Sequence, residues 1–169
     1  MNTSEFHDAY EDKERIRGLL LHSPISALTL NAPVLVDATD SAADAISTMI
    51  NSHIGCVLVQ KAGQLVGIFT ERDVLRRVVL HRDGPAAKVE AVMTPRPETL
   101  EDSATVAYAL NKMSLGGYRH IPVVDRGGRP TGVLSVRDIV DFLVELFPEE
   151  VMNLPSSPNQ AIPLEADGG

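Results

Sequence analysis

The run Gly67, Ile68, Phe69, Thr70, Glu71, Arg72, Asp73 recurs 65 residues later as Gly132, Val133, Leu134, Ser135, Val136, Arg137, Asp138, so one structural unit is written twice in the chain. Each copy is a glycine, a short apolar run, a hydroxyl and then an Arg-Asp pair opening a periodic stretch, the pattern of a strand running directly into a helix. In the first helical turn the hydroxyl and the carboxylate, three residues apart, share a face beside amides that have no intrahelical partner.

The recurrence extends upstream. His53 to Val59 answers Tyr118 to Val124 at the same offset, whereas Ile46 to Met49 answers Leu110 to Met113 at an offset of 64, which places one inserted residue in the Leu115 to Tyr118 turn. A unit of about 60 residues buries only ~60% of its unfolded surface, so each copy is expected to pack on its twin.

In the first unit, a strand is expected around Val34 to Val36, then a helix over Ala42 to Asn51 capped by Asp40 or Ser41, with Ala45, Ile46 and Met49 inward. Cys56 to Val59 and Leu65 to Phe69 make a hairpin around Lys61, Ala62 and Gly63. A helix from Thr70 to about His81 follows, burying Val74, Leu75, Val78 and Val79. The second unit repeats this: a strand at Thr99 and Leu100, a helix capped by Asp102 or Ser103 with Val106, Leu110 and Met113 inward, then strands Ile121 to Val124 and Pro130 to Leu134 about Gly127-Gly128. Its last helix runs from Ser135 to Leu146 with Ile139, Val140, Leu143 and Leu146 inward, and Pro148 stops it. The fold class is α+β, with small sheets and flanking helices. Units span 24–84 and 85–148, after an N-terminal extension, 1–23, with a short helix over Lys13 to His22, and before a mobile C-terminal tail, 149–169.

Composition bounds the function. A formal net charge of -8 and the absence of Trp argue against a nucleic-acid surface. Cys56 is the single cysteine, so no intrachain disulfide forms, and its apolar neighbours read as a buried strand. The five histidines, His7, His22, His53, His81 and His120, have no metal-ligand spacing, and neither a Walker loop nor a dinucleotide fingerprint is present. Glu71 and Asp73 have no nucleophile and base beside them, which argues against an enzyme. The acidic start lacks the pattern of a secretory signal and no apolar run approaches the ~20 residues of a membrane span, so a cytoplasmic location and no membrane contact are expected.

The order of elements, the doubled glycine-apolar-apolar-hydroxyl-x-x-Asp signature and the Ile121, Pro122, Val123, Val124 strand resemble the CBS domain family, here as a tandem pair over roughly Ala32 to Pro148. The resemblance implies two pseudo-symmetric clefts for an adenosine-containing ligand, AMP foremost, with ADP, ATP, S-adenosylmethionine or NAD as alternatives, and no catalytic cofactor. It assigns Asp73 and Asp138 to ribose and Thr70 and Ser135 to ribose or phosphate. It also places Arg119 and His120 over phosphate, with Arg72 and Arg137 as further candidates, and draws an adenine wall from the first strand, around Val36 and Thr39. The cleft of Ser135 and Asp138 is expected to be the stronger because Arg119 and His120 stand where the first unit has Ile54 and Gly55; the reciprocal cleft would use Arg96 to Leu100. Capping of the two helices by Thr70 and Ser135 accounts for the same residues without a ligand. The resemblance further implies a homodimer acting on a separate effector protein; a scaffold with vestigial clefts and a small nucleotide-hydrolysing enzyme are the competing readings.

Overall fold

The computed structural model describes residues 17–146, together with residue 14. The expected tail, the stop at Pro148 and the side chain of Leu146 lie outside the described residues. Residues 17–22 are helical, and a short 3-10 turn follows at Ile25–Ala27. The first sheet has the order β1 (Leu35–Asp37), β2 (Cys56–Lys61), β3 (Gln64–Thr70) and β4 (Thr94–Pro95), parallel in the first pairing and antiparallel thereafter. The second has β5 (Leu100–Glu101) parallel to β6 (His120–Val124), which pairs antiparallel with β7 (Pro130–Ser135). The architecture is the expected α+β pair of sheet-plus-helix units. None of the described helices is long and apolar enough to cross a membrane.

The helices follow from capping and spacing. Ser41 caps α1 (Ala42–Asn51) by accepting from the Asp44 amide, and Ala42, Ala45 and Met49 form its buried stripe. The counterpart α4 (Val106–Gly116) is capped by Thr105, not by Asp102 or Ser103, because Thr105 Oγ1 accepts from the Tyr108 amide. Gly117 ends it in the left-handed region, at φ 66°. The short α3 (Val89–Val92) lies between the units, and α5 (Val136–Leu146) closes the second.

After β3 the chain forms only one α turn, α2 (Glu71–Asp73), before widening into a π-helical stretch over Val74–Val78, with the Val79 amide donating to the Val74 carbonyl. The widening rotates later side chains off the inward line. Val78 is buried, but Leu75 and Val79 are 66% and 63% exposed, contrary to the expected stripe. On α5, Ile139 is buried while Val140 faces out.

Strand register relocates the inserted residue. Cys56 pairs with Thr70 as His120 pairs with Ser135, and Val59 with Gly67 as Val123 with Gly132. The offset is therefore 64 through β2 and β6 and 65 from β3 and β7 onward, so the extra residue sits in the second hairpin and not before Tyr118. The first hairpin is a tight turn with Ala62 and Gly63 at φ 51° and 77°; the second is wider, held by the Asp125 carboxylate accepting from the Gly127 and Arg129 amides.

The units also exchange their leading segments. Ile25 and Leu28 lie in the core of the second unit with Leu100, Val106, Ala109, Met113, Ile121, Leu134 and Ile139, and the Ile25 amide donates to the Ala104 carbonyl. Val89, Val92 and Met93 complete the first core with Val57, Val59 and Phe69, and β4 pairs with β3. Packing thus crosses the 84/85 division drawn from sequence order. Cys56, Leu58 and Ile68 form a third cluster against Val133, joining the two sheets.

Candidate functional site

Two cavities flank one wall. A cavity of about 540 Å³ is lined by Thr70, Arg72 and Asp73 from the first unit, by Thr94, Arg96, Pro97 and Glu98 from the connection, and by Tyr118, Arg119 and His120 from the second unit. A cavity of about 790 Å³ is lined by Ser135, Arg137 and Asp138, by Asn31, Ala32 and Val34, by His53 and Cys56, and again by Arg119 and His120. Both volumes suit a small-molecule ligand. Gly55 and Glu71 also border both.

The two aspartates begin alike. Asp73 Oδ2 accepts from Thr70 N (3.0 Å) and Thr70 Oγ1 (2.8 Å), completing a capping box, and Asp138 Oδ2 accepts from Ser135 N (2.6 Å) and Ser135 Oγ (2.7 Å). They then diverge. Asp73 Oδ1 accepts from Thr94 Oγ1 at 3.0 Å and pairs with Arg77 Nη1 at 3.3 Å, and Arg77 also donates to the carbonyls of Val92 and Met93. Asp73 is 6% exposed. Among the described residues, Asp138 Oδ1 has no such partner. The repeat explains the difference: Phe142 occupies the position of Arg77, and Leu30, the counterpart of Thr94 at the offset of 64 that also relates Pro24 to Lys88 and Ser41 to Thr105, has no hydroxyl to donate.

Basic groups gather on the wall. The Glu71 amide donates to the Gly55 carbonyl and the Val136 amide to the Arg119 carbonyl, both at 3.1 Å, so Arg119 is the structural counterpart of Gly55 and His120 that of Cys56. This corrects the expected pairing with Ile54 and Gly55. A Cβ on Gly55 would lie 3.5 Å from His120 Nε2 and 3.5 Å from Glu71 Oε2, ordinary van der Waals contact, so the imidazole and the Glu71 carboxylate both sit directly beside this glycine. Burial first, then the neighbouring Arg119, holds His120 below its ordinary pKa, against the pull of Glu71 and Asp138. Burial, reinforced by Asp138 and Glu71, pushes the Cys56 thiol up to about 12.

Of the residues singled out from sequence, Thr70, Arg72, Asp73, Arg119 and His120 meet at one cavity and Ser135, Arg137, Asp138, Arg119 and His120 at the other. Arg72 is tied to the Gly117 carbonyl, and Arg137 pairs with Asp141 at 3.6 Å. Val36, Thr39 and Pro122 reach neither cavity. Val36 is in the first core, Thr39 Oγ1 donates to Asp37 Oδ1 at 2.7 Å, and Pro122 is buried in β6; from the first strand region only Val34 lines the wall. Thr94 and Tyr118 were not anticipated. At the repeat offset Thr94 answers the apolar Leu30, so the doubling gives no hint of its hydroxyl, and Tyr118 Oη donates to Glu98 at 3.1 Å across the mouth of the smaller cavity. Arg96, at the same rim, is held at φ 47°. Among the described residues, no group of three or more His, Cys, Asp or Glu side chains is placed to hold a metal ion.

Comparison with known proteins finds one family model twice in the chain. The model of the CBS domain matches residues 25–80 and 89–145. Meiotically up-regulated gene 70 protein of Schizosaccharomyces pombe is 33% identical over 151 residues, covering 88% of this chain and 20% of that protein. The chain spans 20% to 58% of the length of the first curated relatives it matches. Among solved structures, the CBS-domain containing protein ATU1752 from Agrobacterium tumefaciens is 28% identical with a TM-score of 0.65, covering 71% of this chain and 98% of that one. CBS domain protein PAE2072 from Pyrobaculum aerophilum, complexed with AMP, is 26% identical with a TM-score of 0.66, covering 75% and 99%.

Proposed function

The chain belongs to the CBS domain family as a tandem pair, and from that premise we propose that it is a non-catalytic regulatory module that senses an adenine nucleotide, AMP foremost, in the cavity of Ser135 and Asp138. The observation that carries this reading is the inequality of the two carboxylates. Among the described residues, Asp138 keeps an oxygen without a protein partner, ready to accept from vicinal ribose hydroxyls, whereas both oxygens of Asp73 are engaged. The guanidinium of Arg119, which lines the same cavity, suits a phosphate beyond that ribose. The AMP complex of the Pyrobaculum aerophilum relative supports the ligand class.

Calorimetric titration of AMP tests this. The strong binding phase disappears in Asp138→Ala and persists in Asp73→Ala provided that variant is folded; strong binding retained by Asp138→Ala would reject the assignment. The saturated Asp73 favours a scaffold reading for its own cavity alone, with a weak site or none. Output passes through a second copy of the chain and a separate effector protein. The exposed apolar side chains Leu75, Val79, Leu80 and Val140 on the helical faces suit the first of these contacts.

A further inference from the structure

The wall between the cavities carries one set of charges, not two. Arg119 has Gly55 as its twin, His120 has Cys56, and Glu71 has Val136, so duplication did not duplicate the cations at the centre. Arg72 and Arg96 line only the smaller cavity and Arg137 only the larger; Arg119 and His120 line both. Arg119 is exposed and, among the described residues, forms no ion pair, while Glu71 borders both cavities as an acid that a second anion must approach.

We infer that Arg119, backed by His120, is a single anion clamp shared by the two cavities, so that a phosphate held in one weakens the binding of a phosphate in the other. The inference rests on the nucleotide reading above for its natural ligand. A guanidinium forks toward one phosphate at a time, and its charge, once neutralised, leaves Glu71 facing the second anion. Losing one charge-assisted hydrogen bond corresponds to a tenfold to hundredfold drop in affinity, on the order of what such bonds contribute. Reciprocity requires the same factor in both directions.

The test compares AMP with adenosine, which has the ribose and base but no phosphate, by calorimetry on wild type, Asp138→Ala and Arg119→Gln. In wild type, the second AMP step should be about ten to a hundred times weaker than AMP binding to that same cavity in Asp138→Ala, where the first cavity is disabled. Adenosine should show no such gap, and Arg119→Gln should weaken AMP in both cavities and close the gap. Equal AMP affinities in the two backgrounds, an effect of Arg119→Gln on one cavity only, or one AMP bound by wild type and none by Asp138→Ala overturns the shared clamp. Pyrophosphate separates the clamp from the nucleotide reading. One strong equivalent per chain, lost in Arg119→Gln, supports the clamp even if AMP fails to bind, in which case only the nucleotide reading falls. Two strong equivalents refute the clamp, and binding of neither anion refutes both.

Discussion

Asp73 and Asp138 occupy equivalent positions, yet replacing each with alanine should cost different amounts of stability. Both variants keep the capping hydroxyl but lose the carboxylate that answers it, about 1 kcal/mol. Asp138→Ala loses little else, because its second oxygen has no protein partner among the described residues. Asp73→Ala also strands Thr94 Oγ1, which donates at 3.0 Å in a part-buried setting, and removes the partner of Arg77. A hydrogen bond to a charged acceptor contributes roughly 1.5–3 kcal/mol. The Arg77 pair adds under ~1 kcal/mol because that side chain is 44% exposed and screened by water. The expected totals are about 3 kcal/mol for Asp73→Ala and about 1 kcal/mol for Asp138→Ala. Urea denaturation with unchanged m-values should resolve them, and melting should fall by roughly 6–12 °C against 2–4 °C. Thr94→Val combined with Asp73→Ala should lose less than the sum of the singles. Equal losses for the two aspartate variants, or additive behaviour of Asp73 and Thr94, would refute the argument that Asp73 is engaged by the fold.

Two further outcomes are expected. Because burial depresses the pKa of His120 in the folded chain below its unfolded value near 6.5, the unfolded chain binds more protons between those two values; the stability from the neutral imidazole is complete above the unfolded value and lost as pH falls through the folded one. Urea midpoints at pH 5.5 and 7.5 should therefore differ less in His120→Gln than in wild type, and an unchanged difference would remove His120 from the account. Leu75, Val79 and Leu80 are 66%, 63% and 79% exposed, so sedimentation velocity at micromolar concentration should give twice the chain mass, and Leu75→Glu with Val79→Glu should give a monomer; a wild-type monomer throughout would reject assembly through this face.

The alternation of apolar runs and turn residues was enough to place both hairpins, and the doubled signature was enough to bring Thr70 with Asp73 and Ser135 with Asp138. What stayed hidden depends on atoms far apart in sequence or on a single residue of slip. The widened helix after Asp73 has no composition of its own, and only the displaced Leu75 and Val79 betray it. The inserted residue in the second hairpin moved the apparent twin of Arg119 from Gly55 to Ile54, because two apolar strands can be aligned at either offset when read as letters. The tie from Thr94 to Asp73 is not visible in either unit alone. Phe142 in place of Arg77 and Leu30 in place of Thr94 are the two changes by which the second aspartate lacks what the first has.

The exchange of leading segments sets an order of events during synthesis. Ile25 and Leu28 leave the ribosome early, but their docking partners around Ala104 and Val106 follow roughly 80 residues later, about 4–16 s at typical elongation rates. The first unit can close when Met93 and Thr94 arrive, while the second must wait and then capture a segment that has been without its partner throughout. A cut near residue 84 would leave neither half whole: the first fragment would lack Val89 to Pro95 and the second would lack Ile25 and Leu28. Mixed together, such fragments should complement each other by trading strands, which makes this chain a candidate for a split reporter whose halves are disabled until they meet.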